Sequence, residues 1–75
     1  MFIVAALYHF TRFKDHRKLC VPLQNKCNSS GVTGSLLVAP EGINGTISGS
    51  RQGIDNVIEY IKTLPGCSNI CLLYT

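Results

Sequence analysis

Phe2 to Phe10 constrains this chain most: it is a run of apolar and aromatic residues broken only at His9, and it stops at a basic segment. The run falls well short of the roughly 20 apolar residues a membrane span needs, and its length suits a strand. On a strand, Phe2, Val4, Ala6, Tyr8 and Phe10 point one way and Ile3, Ala5, Leu7 and His9 the other. Neither set is made for water, so the strand is expected in the middle of a sheet with both of its faces covered.

Further along, Leu19, Leu23 and Cys27 recur every fourth residue with Cys20 beside them, a narrow apolar stripe that predicts a helix from Asp15 to about Asn28. Pro22 removes a hydrogen bond and crowds the preceding turn, so the regular helix is expected to begin near Val21 or to kink there. Asn28-Ser29-Ser30-Gly31 supplies the stop, with Gly31 in the left-handed cap. Val32 to Ala39 reads as a second strand, Pro40-Glu41-Gly42 as a tight connection and Ile43 to Ser48 as a third strand. There Ile43, Gly45 and Ile47 share one face, while Asn44, Thr46 and Ser48 form a polar row on the other.

Ser50 caps a second helix whose Ile54, Val57, Ile58, Ile61 and Leu64 follow helical spacing; Pro65-Gly66 ends it, and Ile70 to Tyr74 forms a closing strand. The order βαββαβ is that of an α+β, ferredoxin-like (acylphosphatase-like) sandwich, an antiparallel sheet with both helices on one face. One such domain fills residues 1–75. Its helix-free face, apolar on the first strand, is expected to meet a partner domain or a second copy.

With 75 residues, 45% of them hydrophobic, the core is small and gains from a neighbour. Seven Lys and Arg against four Asp and Glu give a net charge of +3. Arg12, Lys14, Arg17 and Lys18 fall in one stretch, with His9 and His16 nearby and only Asp15 opposing them. Such a patch suits nucleic acid, and equally the solvated start of a helix. The pairs Cys20/Cys27 and Cys67/Cys71 lack the close spacing of a zinc knuckle, so neither metal nor cofactor is expected. No charged leader precedes the first strand, which predicts a soluble cytoplasmic protein with reduced, mostly buried thiols.

No nucleophile stands beside a base at a recognised spacing, and Asp55 and Glu59 sit on the polar side of the second helix. His9 and His16 read as structural. Glu41 lies in a glycine-rich segment whose Glu41, Gly42, Asn44, Gly45 and Thr46 are candidates for a contact loop; the alternative is a hairpin whose glycines serve turns and bulges. The segment lacks the G-x-x-x-x-G-K-S/T arrangement of a nucleotide loop.

The string from Gly34 to Gly49, GSLLVAPEGINGTISG, resembles the G-x-I/L-L-L/V-A-x-E-G-I-N-G-T-I/V-x-G signature of the rhodanese-related tRNA uridine hydroxylases. Ala6-Leu7-Tyr8-His9-Phe10 also resembles their A-L-Y-K-F first strand, with His9 for lysine, and Cys27 falls where their first helix often has a cysteine. Pro40 before Glu41 and the tail after Pro65 depart from the family pattern. The resemblance implies the N-terminal part of a cytoplasmic enzyme that hydroxylates the wobble uridine of tRNA, the catalytic cysteine lying in a downstream rhodanese domain. None of Cys20, Cys27, Cys67 and Cys71 would then be catalytic. The implied partners are tRNA, held by Arg12, Lys14, Arg17 and Lys18, and the rhodanese domain. The reading from a different class is an interaction module that docks or forms a homodimer through its apolar face without touching RNA. An acylphosphatase-like enzyme is disfavoured, because no glycine-rich loop with an arginine follows the first strand.

Overall fold

The computed structural model describes residues 2–74. The elements follow in the order β1 (Ile3–Phe10), α1 (Arg17–Ser29), β2 (Thr33–Ala39), β3 (Gly42–Gly49), α2 (Arg51–Lys62) and β4 (Cys71–Tyr74). The four strands form one antiparallel sheet ordered β2-β3-β1-β4, so the first strand is central, and the fold is ferredoxin-like α+β as expected.

Alternation along β1 sets the two sides of the sheet. Ala5 and Leu7 are buried in the core under the helices. Their register partners Ile47 and Gly45 on β3 share that side, whereas Val4, Ala6 and Tyr8 align with Ser48, Thr46 and Asn44 on the open side. Within this chain only the helix side of β1 is covered, and Val4, Tyr8 and Phe10 on the other side are exposed. The helices, of 13 and 12 residues, form one layer on the Ala5 and Leu7 side of the sheet.

α2 is built as its sequence demands. Ser50 Oγ accepts a hydrogen bond from the Gly53 N–H at 3.0 Å, and Ile54, Val57, Ile58 and Ile61 form the buried stripe, continued by Leu64 past the helix end. Each fully buried aliphatic side chain contributes about 1.5–3 kcal/mol over leaving it in water. Residue 66 turns with φ +78°, and its carbonyl accepts a 2.6 Å hydrogen bond from His9 Nε2, tying the α2–β4 connection to the end of β1.

α1 departs from expectation at its start. It begins at Arg17, and Pro22 lies inside it, exposed, where the carbonyl it leaves without an N–H can turn to water. Of the predicted stripe only Leu23 is fully buried; Leu19 and Cys27 are half-buried and Cys20 is exposed. The helix closes at Gly31 (φ +68°), with the Gly31 N–H donating to Asn28 O at 3.2 Å and the Val32 N–H to Cys27 O at 2.9 Å. That paired bonding satisfies two end carbonyls and buries Val32 behind the turn.

The four cysteines are free thiols, but not mostly buried ones: Cys67 is buried and Cys27 half-buried, while Cys20 and Cys71 are exposed. Among the described residues no helix is long and apolar enough to cross a membrane, and no group of three or more His, Cys, Asp or Glu could hold a metal ion.

Candidate nucleic-acid interface

The basic segment begins where β1 ends, and its strand-like alternation persists. The Thr11 N–H donates to Glu41 O at 3.0 Å and the Phe13 N–H to Pro40 O at 3.0 Å, and the Phe13 ring is buried. Pinning residues 11 and 13 leaves Arg12 and Lys14 between and beyond them exposed. Burial of Phe13 was missed because a charged stretch reads as solvated; an apolar residue between two cations, in phase with Leu7, was the available signal.

Arg17 and Lys18 form the exposed first turn of α1. Lys18 Nζ lies 3.8 Å from Asp15 Oδ2, whereas Arg12, Lys14 and Arg17 have no carboxylate partner among the described residues. This helix start has no acidic residue in its first turn, and His16 at its cap makes no side-chain capping bond. Its cations therefore face the positive end of the helix dipole, an arrangement that disfavours the free helix and favours an anion there.

The glycine-rich segment is a strand rather than a loop. Pro40 and Glu41 alone make the turn between β2 and β3, and Gly42 to Thr46 belong to β3. Glu41, Asn44 and Thr46 are exposed, the last two on the open face. Gly42 is buried, and a Cβ there would strike His9 O; a Cβ on Gly45 would strike Ser35 O. These two glycines let the strand backbones approach, which leaves Glu41, Asn44 and Thr46 as the side chains able to touch a ligand.

Phe10, Thr11, Arg12, Pro40 and Glu41 line a shallow, open groove that joins the basic segment to the open face. On that face Phe10 is 82% and Tyr8 48% exposed, with the rings edge to face at 6.4 Å and 65°. Tyr8 aligns with Cys71 on β4; a hydrogen bond to that thiol, then its charge, holds the Tyr8 phenol above its ordinary value of 10.0, so it is a neutral hydroxyl at neutral pH. Sequence reasoning put these rings in a docking face and did not connect them with the cations, because the link runs through Arg12 and the turn at Pro40.

Residues 2–74 match the model of a family described as the UPF0176 acylphosphatase-like domain. The chain is 59% identical over 70 residues to a tRNA uridine(34) hydroxylase of Roseobacter denitrificans, covering 93% of this chain and 24% of that protein. A protein of the same name from Jannaschia sp. is also 59% identical over 70 residues, covering 93% and 23%. One from Caulobacter vibrioides is 52% identical over 67 residues, covering 89% and 21%. The chain thus spans less than a quarter of the length of these curated relatives.

Proposed function

The chain belongs to the UPF0176 acylphosphatase-like domain family, and from that premise we propose that it is the non-catalytic N-terminal domain of a tRNA uridine(34) hydroxylase, helping to hold tRNA for a catalytic rhodanese domain elsewhere in the parent protein. One observation carries the reading: Arg12, Lys14 and Arg17 are exposed, close in sequence and unpaired with any carboxylate among the described residues. Lysine and arginine grip phosphates without reading sequence, which is what a positioning domain needs. Lys18 contributes less, since Asp15 already neutralises it in part. Glu41 sits at the rim of the groove, where its carboxylate accepts from a base amino group and repels a misplaced phosphate. The site of action is the cytoplasm, where tRNA and reduced thiols coexist.

A second reading is favoured by the exposure of Val4, Phe10 and Leu73: the open face docks the rhodanese domain or a second copy, and RNA is held elsewhere.

The test is fluorescence anisotropy of unmodified tRNA with this chain over a salt series, beside Arg12→Glu/Arg17→Glu. Three phosphate contacts to a single strand predict a slope of log affinity on log salt of about −2. The variant should lose most of the binding while keeping its fold by circular dichroism. Salt-insensitive binding, or none by the folded wild type, would move the function to docking.

A further inference from the structure

We infer that the open face of the sheet is a stacking platform for unpaired RNA bases, with Phe10 and Tyr8 as the rings; this rests on the RNA-holding role proposed above and specifies its ligand. Apart from its edge contact with Tyr8, Phe10 gains little from its position in the fold: its ring stands 82% exposed on the central strand. Opposite it on β3 is Gly42, which has no side chain to cover the ring. Tyr8, the next residue on the same face, has Asn44 opposite it. Asn44 and Thr46 make no side-chain hydrogen bond among the described residues, so their amide and hydroxyl are free to meet base edges.

Charge complementarity favours RNA over a protein as the occupant. From Phe10 the groove leads directly to Arg12, so a nucleotide stacked on the ring would bring its phosphate to that unpaired guanidinium. The β2–β3 half of the face is mainly polar, with Thr33, Ser35, Asn44, Thr46 and Ser48 beside the exposed Leu37; Thr33 and Ser48 bond to each other, so a protein covering the sheet would have to satisfy Ser35, Asn44 and Thr46. Single-stranded RNA suits such a mixture: bases stack on isolated aromatic rings and hydrogen-bond to polar neighbours. A duplex keeps its bases stacked on one another, so the ligand is the unpaired part of an RNA, a loop or a frayed end.

Three variants of the chain decide this by anisotropy with a labelled oligouridine and with a blunt RNA duplex of the same length. Tyr8→Leu/Phe10→Leu keeps the apolar area but removes the π-faces; Tyr8→Phe/Phe10→Tyr keeps both; Arg12→Glu/Arg17→Glu removes the phosphate contacts. The expected result is a loss of about tenfold or more in single-strand affinity for the leucine variant, with duplex binding unchanged. The aromatic exchange should bind as the wild type does, and the charge variant should lose both ligands. Unchanged single-strand binding by the leucine variant, beside loss in the charge variant, would overturn the stacking platform and leave phosphate holding intact. No binding of either RNA by the folded wild type would sink both, and a leucine-tolerant dimer seen by sedimentation would assign the face to a second copy.

Discussion

Gly31 and Gly45 both hold positive φ, at +68° and +154°, for different physical reasons. Around Gly31 a Cβ would meet nothing within 4 Å, so Gly31→Ala suffers only the strain of left-handed backbone, about 1 kcal/mol. At Gly45 a Cβ would strike Ser35 O and lie 2.8 Å from Leu36 Cα, both on β2, so Gly45→Ala should cost about 3 kcal/mol. Urea midpoints check the pair, and equal losses would mean that the strands can part to admit the methyl. The helix-ending role of Gly31 was legible, because Asn-Ser-Ser-Gly after an apolar stripe is a local signal. The close approach at Gly42 and Gly45 was not, since it depends on which residues stand opposite, and a family signature reads the same whether its glycines bind a ligand or admit a neighbouring strand. For Asn44 and Thr46 strict alternation was enough to put them on one exposed face.

Among the elements, α1 carries the conflict between stability and the RNA binding proposed for it. Its first turn holds Arg17 and Lys18 against the positive end of the helix dipole, each costing a few tenths of a kcal/mol in the free protein. Arg17→Glu should therefore raise the melting temperature, by a stabilisation of about 0.5–1 kcal/mol, while weakening RNA binding. Differential scanning calorimetry and anisotropy on the same variant read the two signs; a fall in both would show that Arg17 supports the fold instead. Pro22 hid this turn from sequence reasoning. A proline usually marks a helix's first turn, and here it sits in the sixth position, where exposure lets water take the unpaired carbonyl. α2, with its side-chain cap and regular stripe, was legible from Ser50 to Leu64 because local signals and tertiary burial agree.

For the molecule as a whole, the tail was hardest to read. Cys67 and Ile70 join the core without any period to announce them, held by the turn after Leu64 and the His9–Gly66 bond. Their burial has a pH signature. Burial pushes the Cys67 and Cys27 thiols above their ordinary value of 9.0, so the folded state favours the neutral thiol more than the unfolded state does. That stabilisation is complete below the unfolded value and is lost as pH rises through it towards the folded ones; Tyr8, also raised, adds loss of the same sign only from its own ordinary value of 10.0 upward. The urea midpoint should fall between about pH 8 and 10, and less steeply in Cys67→Ala; an unchanged slope would remove Cys67 from the account.

β1 has the widest consequence. Its odd positions, Ile3, Ala5, Leu7 and His9, face the helices, and its even positions, Val4, Ala6, Tyr8 and Phe10, face outward. Two kinds of instruction are thus interleaved along one strand, and a random change in it falls mainly on one or the other. A library of β1 variants should separate with period two into those that fail to accumulate in the cell and those that accumulate normally but do not engage a ligand. Such a strand can exchange what it touches while keeping what it is.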